Sequence, residues 1–130
     1  FFNCNAIINT LNGGSSETGS LVKAASGAFE QIQYIQVVNI TQTILRLKKL
    51  GYLVIGLDES STNKISSFKK GNNHIAVVFG AEGKGIRRLT KKHCDMLISI
   101  DGNHNFSSLN VSTAVGITLF NIQSNKFNGA

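Results

Sequence analysis

Proline is absent from the 130 residues, where average usage would supply about 6. Alongside heavy use of Asn, Ile and Lys, this reads as a composition bias of the source and carries no functional content. Cysteine is scarce. Cys4 and Cys94 show no CxxC spacing, which excludes a disulfide scaffold and leaves two thiols expected to be reduced and buried in a cytoplasmic protein. Acidic residues are few, 7 against 13 Lys and Arg, for a formal charge of +6. That balance argues electrostatically for a polyanionic partner, although an ordinary basic soluble protein shares it. No apolar run approaches the ~18 residues of a membrane span. The longest, Ile75 to Phe79 and Val111 to Phe120, are short or interrupted. No basic stretch followed by an apolar one opens the chain, so nothing indicates secretion.

What is present suffices for one domain. At 42% hydrophobic and 15% charged, with mean hydropathy +0.04, the chain can bury a core and is too apolar to be disordered. Strand-like and helix-like stretches alternate, without an internal repeat. Residues 5–9 form a short apolar strand, followed by a Gly/Ser-rich turn at Leu11 to Ser16. Residues 17–29 show near-helical spacing, and Tyr34 to Val38 reads as a second strand. Thr41 is placed to cap a helix with Lys48 and Lys49 in its last turn and Gly51 just after it. Tyr52 to Leu57 is a third strand and Asp58 to Asn73 a polar loop. Ile75 to Phe79 is a fourth strand, apolar throughout and hence expected to be covered on both faces. Ile86 to His93 reads as a short basic helix and Leu97 to Ile100 as a fifth strand. Leu109 to Ile122 is a closing helix offering Leu109, Ala114, Val115, Leu119 and Phe120 to the core. The alternation predicts an α/β domain with a mostly parallel sheet flanked by helices, with ligands beyond the carboxyl ends of the strands.

Two connections at those ends carry candidate chemistry. Gly80-Ala81-Glu82-Gly83-Lys84-Gly85 follows a buried strand and precedes a helix, where glycines allow tight turning and close approach to a ligand. A Walker loop would need Lys-Ser/Thr after the last Gly, where Ile86-Arg87 stands. A dinucleotide fingerprint counted from Gly83 would need a Gly where Arg88 stands. Glu82 reads as a solvated acid, a helix cap, or a carboxylate beside a ligand. Ser107 and Ser108 look like caps, whereas Asn110, expected inside the first turn, suits a place where its amide has a partner. Arg87, Arg88, Lys91 and Lys92 suggest a solvated helix face or, with the overall charge, phosphate contacts. His74, His93 and His104 form no metal-ligand spacing, and Cys94 reads as packing rather than as a nucleophile.

Together, VFGAEGKGIRRLTKKHCDMLISI at 78–100 and SSLNVSTAVGITLF at 107–120 resemble the second and third motifs of the SPOUT superfamily. The resemblance is to its SpoU/TrmH branch of RNA ribose 2′-O-methyltransferases. Residues 23–40 are similar to its guanosine enzymes acting on large-subunit ribosomal RNA. The resemblance covers nearly the whole chain. It implies a C-terminal deep trefoil knot, a rare exception to unknotted folds, a homodimer, and S-adenosyl-L-methionine as cofactor. Gly80, Ile100 and Leu109 would contact that cofactor, largely through backbone. Glu82, Ser108 and Asn110 match the polar positions of the active site. Arg87, Arg88, Lys91 and Lys92 are candidates for RNA contact, as is the segment from Ser26 to Glu30 for RNA or the dimer. No metal or membrane partner is expected. The family's first motif, Asn-x-Gly leading to an Arg credited with activating the hydroxyl, has no counterpart, and Asp101 stands where relatives carry Pro. The expectation is therefore the C-terminal part of a longer enzyme, lacking the first strand. A second reading is a non-catalytic RNA-binding or ribosome-assembly protein that keeps the fold.

Overall fold

The computed structural model describes residues 2–10, 32–81, 83–103 and 109–127. Among them are strands β1 (Ala6–Thr10), β2 (Gln33–Val37), β3 (Tyr52–Leu57), β4 (His74–Val78) and β5 (Met96–Ile98). Helices α1 (Ile40–Lys49), α2 (Arg88–His93) and α3 (Val111–Phe127) accompany them. The turn expected at 11–16 and the helix expected at 17–29 lie outside the described residues. Every strand pairing described is parallel, as the β–α alternation predicts. The strands form two sheets, β1 beside β2 and a second in the order β4-β3-β5.

Strand β3 is the centre of the larger sheet. Val54, Ile55 and Gly56 are buried in succession, the signature of a strand covered on both faces. On one face Ile55 joins Ile65, Phe68, Ile98 and Ile122 in the core. On the other, Gly56 leaves room for the helix side. A Cβ there would stand 2.7 Å from Leu97 Cδ2, 3.1 Å from Cys94 Sγ and 3.2 Å from Ile86 Cδ1. Helix α1 is locked to the end of α2 by Lys48. Its Nζ donates to His93 O at 3.1 Å and pairs with Asp95 at 3.4 Å, while Asp95 accepts from the Val54 amide at 2.7 Å.

Several boundaries differ from those the sequence suggests. The cap of α1 is Asn39, whose Oδ1 accepts from the Gln42 amide at 3.1 Å; Thr41 lies one residue inside the helix. Gly51 ends that helix at φ 93°, a conformation that disfavours a side chain. The polar 58–73 stretch contains a 3-10 turn, Ile65–Ser67, that delivers Ile65 and Phe68 to the core. Helix α3 runs through Phe127 and turns Ala114, Thr118 and Ile122 inward at four-residue spacing. Leu109 (48% exposed) and Phe120 (61%) are therefore not core residues; Phe120 meets Phe2 edge-on at 6.4 Å. Cys4 and Cys94 are free and half-buried rather than buried.

Candidate functional site

The parallel register brings the two chemistry-bearing connections to one edge. Gly56 stands opposite both Val78 and Leu97, and Leu57 opposite Ile98. Past these pairs the chain runs on to Gly80 after β4, to Asp58 after β3 and to Ser99 after β5. The exits of β4 and β5 thus lie on either side of the β3 exit at the carboxyl edge, where ligands of such sheets bind.

The glycine connection is a turn closed on itself. Gly85 N–H donates to Ala81 O at 2.9 Å and Lys84 N–H to the same oxygen at 3.2 Å. Gly83 and Gly85 take φ of 78° and 68°, which only glycine adopts without strain. A Cβ on Gly80 would collide with the backbone of Gly85 and Ile86. Gly80 is therefore required by the turn itself, whatever else it touches.

Asp58 sits at the middle of the edge. Its Oδ2 pairs with Lys91 Nζ at 3.0 Å, and its Oδ1 accepts from the Ser60 amide at 3.1 Å and hydroxyl at 2.9 Å. Burial alone would push this carboxyl up, but Lys91 and Ser60 more than offset it, holding it below its ordinary value. Lys91 thereby anchors α2, which leads away from the glycine turn, to the exit of β3. Beyond β5, Asp101 accepts from the Ser66 amide at 3.4 Å. That contact with Ser66, helped by the Lys64 charge, holds its carboxyl low.

The expected site residues distribute as follows. Gly80 and Ile100 are half-buried at the edge, and Leu109 is exposed two residues before α3. Asn110 is the N-cap of α3 rather than a residue of its first turn. Its Oδ1 accepts from the Ser112 amide at 2.8 Å and its carbonyl from Ala114 N–H at 2.9 Å. Arg87, Arg88 and Lys92 are exposed, while Lys91 is committed to Asp58. Glu82, Ser108 and the 26–30 segment lie outside the described residues. Cys94 donates to Thr90 O at 3.4 Å. Burial and then Asp95 push its thiol up, against a smaller effect of Lys48, which suits packing and not attack. Sequence reasoning passes over Asp58, Ser61, Lys64 and Ser99. The available signal is an acid placed directly after a buried parallel strand.

The SpoU rRNA Methylase family matches residues 1–120. The chain belongs to that family. It is 45% identical over 102 residues to the 23S rRNA (guanosine-2'-O-)-methyltransferase RlmB of Ralstonia nicotianae, covering 78% of this chain and 40% of that one. It is 37% identical over 115 residues to a Burkholderia RlmB, covering 88% and 46%. The chain thus spans less than half the length of these SpoU relatives. A SpoU methyltransferase from Streptomyces viridochromogenes, AviRb, solved in complex with AdoMet, superposes with TM-score 0.83 at 18% identity. That likeness covers 99% of this chain and 50% of AviRb and shows the SpoU fold. Among the described residues no helix is long and apolar enough to cross a membrane, and no cluster of three or more His, Cys, Asp or Glu could hold a metal ion.

Proposed function

We propose that the protein carrying these residues transfers a methyl group from S-adenosyl-L-methionine to a ribose 2′-hydroxyl of ribosomal RNA, at a guanosine. The relatives named for that reaction support the reading. The observation that carries it is the adjacency of the Gly80 turn and Ile100 at one strand edge. Half-buried Gly80 and Ile100 follow strands on either side of β3 at its carboxyl edge, where a ligand of a parallel sheet meets backbone from both connections.

When bound, the cofactor supplies an electrophilic methyl on a sulfonium. The protein's share is positioning, because in-line approach of a weak oxygen nucleophile gains most from orientation. Gly80, Ile100 and Leu109 would hold the cofactor. Asn110, with Oδ1 committed to Ser112, has its amide NH2 to offer, and Glu82 and Ser108 complete the proposed polar set for orienting the ribose. Exposed Arg87, Arg88 and Lys92 supply phosphate contacts that fix RNA without reading bases, and Lys91 serves them by anchoring α2. The same reading includes a knotted C-terminal half, a homodimer and a cytoplasmic location. The test is isotope transfer: the intact protein should label bacterial large-subunit RNA from methyl-labelled cofactor, with the label on a guanosine ribose. No incorporation, with no cofactor binding by calorimetry, would overturn the proposal.

A further inference from the structure

Strand β5 is three residues long, yet the chain beyond it runs a fixed course because the β3–β4 connection grips it. Ser99 N–H donates to Asn63 O and Ile65 N–H to Ser99 O, each at 2.8 Å, forming a parallel bridge between Lys64 and Ser99. Ser61 Oγ donates to Leu97 O at 2.7 Å. At the centre, the buried Ser99 hydroxyl accepts from Lys64 Nζ at 2.9 Å and donates to Ser61 O at 2.9 Å. A half-buried ammonium needs partners to offset its desolvation, and its charged bond to a buried hydroxyl is stronger than a neutral one. The next residue along is Ile100, and the next, Asp101, is held by the Ser66 amide and feels the Lys64 charge.

We propose that Lys64 is a positioning residue for the methyl-donor site: by fastening the Ser99 hydroxyl, it sets the path on which the chain enters Ile100. Resting on the function proposed above, this assigns to a residue of the β3–β4 connection a share of donor affinity without direct contact. Lys64 is remote in sequence from both candidate loops, and among the described residues its ammonium donates to Ser99 at the start of the donor wall. The basic surface of Arg87, Arg88 and Lys92 belongs to a different helix, so RNA affinity is not its concern.

The test compares Lys64→Met, which keeps most of the stem and loses the donor, with Lys64→Arg, which keeps the charge, both in the intact protein. Lys64→Met should raise KM for S-adenosylmethionine about tenfold, with KM for RNA and the melting temperature near wild type. Lys64→Arg should recover most of the loss. An unchanged donor KM, or donor and RNA KM rising together with a fall in melting temperature, overturns the proposal. If wild-type protein neither binds donor nor transfers methyl, the function fails on its own account, and hydrogen exchange still decides the positioning role. Amides of residues 99–103 should then exchange faster in Lys64→Met than in wild type, with β4 unaffected; equal rates overturn it.

Discussion

The two sheets differ in how they are held. Around β3, consecutive residues are buried on both faces, two helices cover one side, and the other is sealed by Ile65, Phe68, Ile98 and Ile122. The β1–β2 pair contains no fully buried residue, and it leaves Ile7 and Ile35 exposed, with Val38 just beyond it 81% exposed. A two-stranded sheet is marginal on its own, whereas a central parallel strand draws on both layers. The proposed donor site stands on the strongly held half, where positioning to a fraction of an ångström is attainable.

Core truncation tests that contrast most severely. Ile55→Ala should lower unfolding free energy by about 2–5 kcal/mol, whereas Ile35→Ala in β2 should cost less than about 1 kcal/mol; chemical denaturation reads both, and equal losses would erase the distinction. Gly80→Ala comes next. Its Cβ meets backbone rather than a movable side chain, so a cost of about 1–3 kcal/mol should accompany loss of cofactor binding. A variant that binds normally would show that the turn is not part of the site.

Asp58→Asn should cost about 1–2 kcal/mol, since the pair with Lys91 is lost while the Ser60 bonds are weakened. The pH sign follows from the depressed carboxyl: the folded value lies below the ordinary 3.8. The contribution is therefore present above about pH 4 and disappears as pH falls through the folded value. Acid titration of stability should show wild type converging on Asp58→Asn below that window, and parallel curves would refute the assignment. Among the site variants the smallest stability cost is expected for Asn110→Ala, about 1 kcal/mol from loss of the α3 cap, with turnover falling far more than stability.

Much of this architecture is legible from residue order, for reasons tied to particular segments. Tyr52–Leu57 is an unbroken apolar run ending in an acid, and β3 has those same limits. Asn39 and Thr41 are both capping types two residues apart, and only the reach of Asn39 Oδ1 to Gln42 separates them. Ile65 and Phe68 are isolated among Ser and Lys, so no periodicity reveals that they close the core. The inward face of α3 is chosen by the sheet it meets, which sets Thr118 inward and Phe120 outward against their hydrophobicity. The glycine turn and the 100–110 connection are visible as motifs. Their common edge follows once the strands are parallel. The Asp58–Lys91 and Lys64–Ser99 ties join residues more than thirty positions apart, and no local pattern encodes such pairings.

Hydrogen exchange across the intact protein, with and without S-adenosylmethionine, bears most directly on whether two strand exits form one donor site. Protection should appear together at residues 79–86 and at 99–103, while the β1–β2 pair stays unchanged. Protection at one of these segments without the other, or confined to β1 and β2, would contradict a shared site.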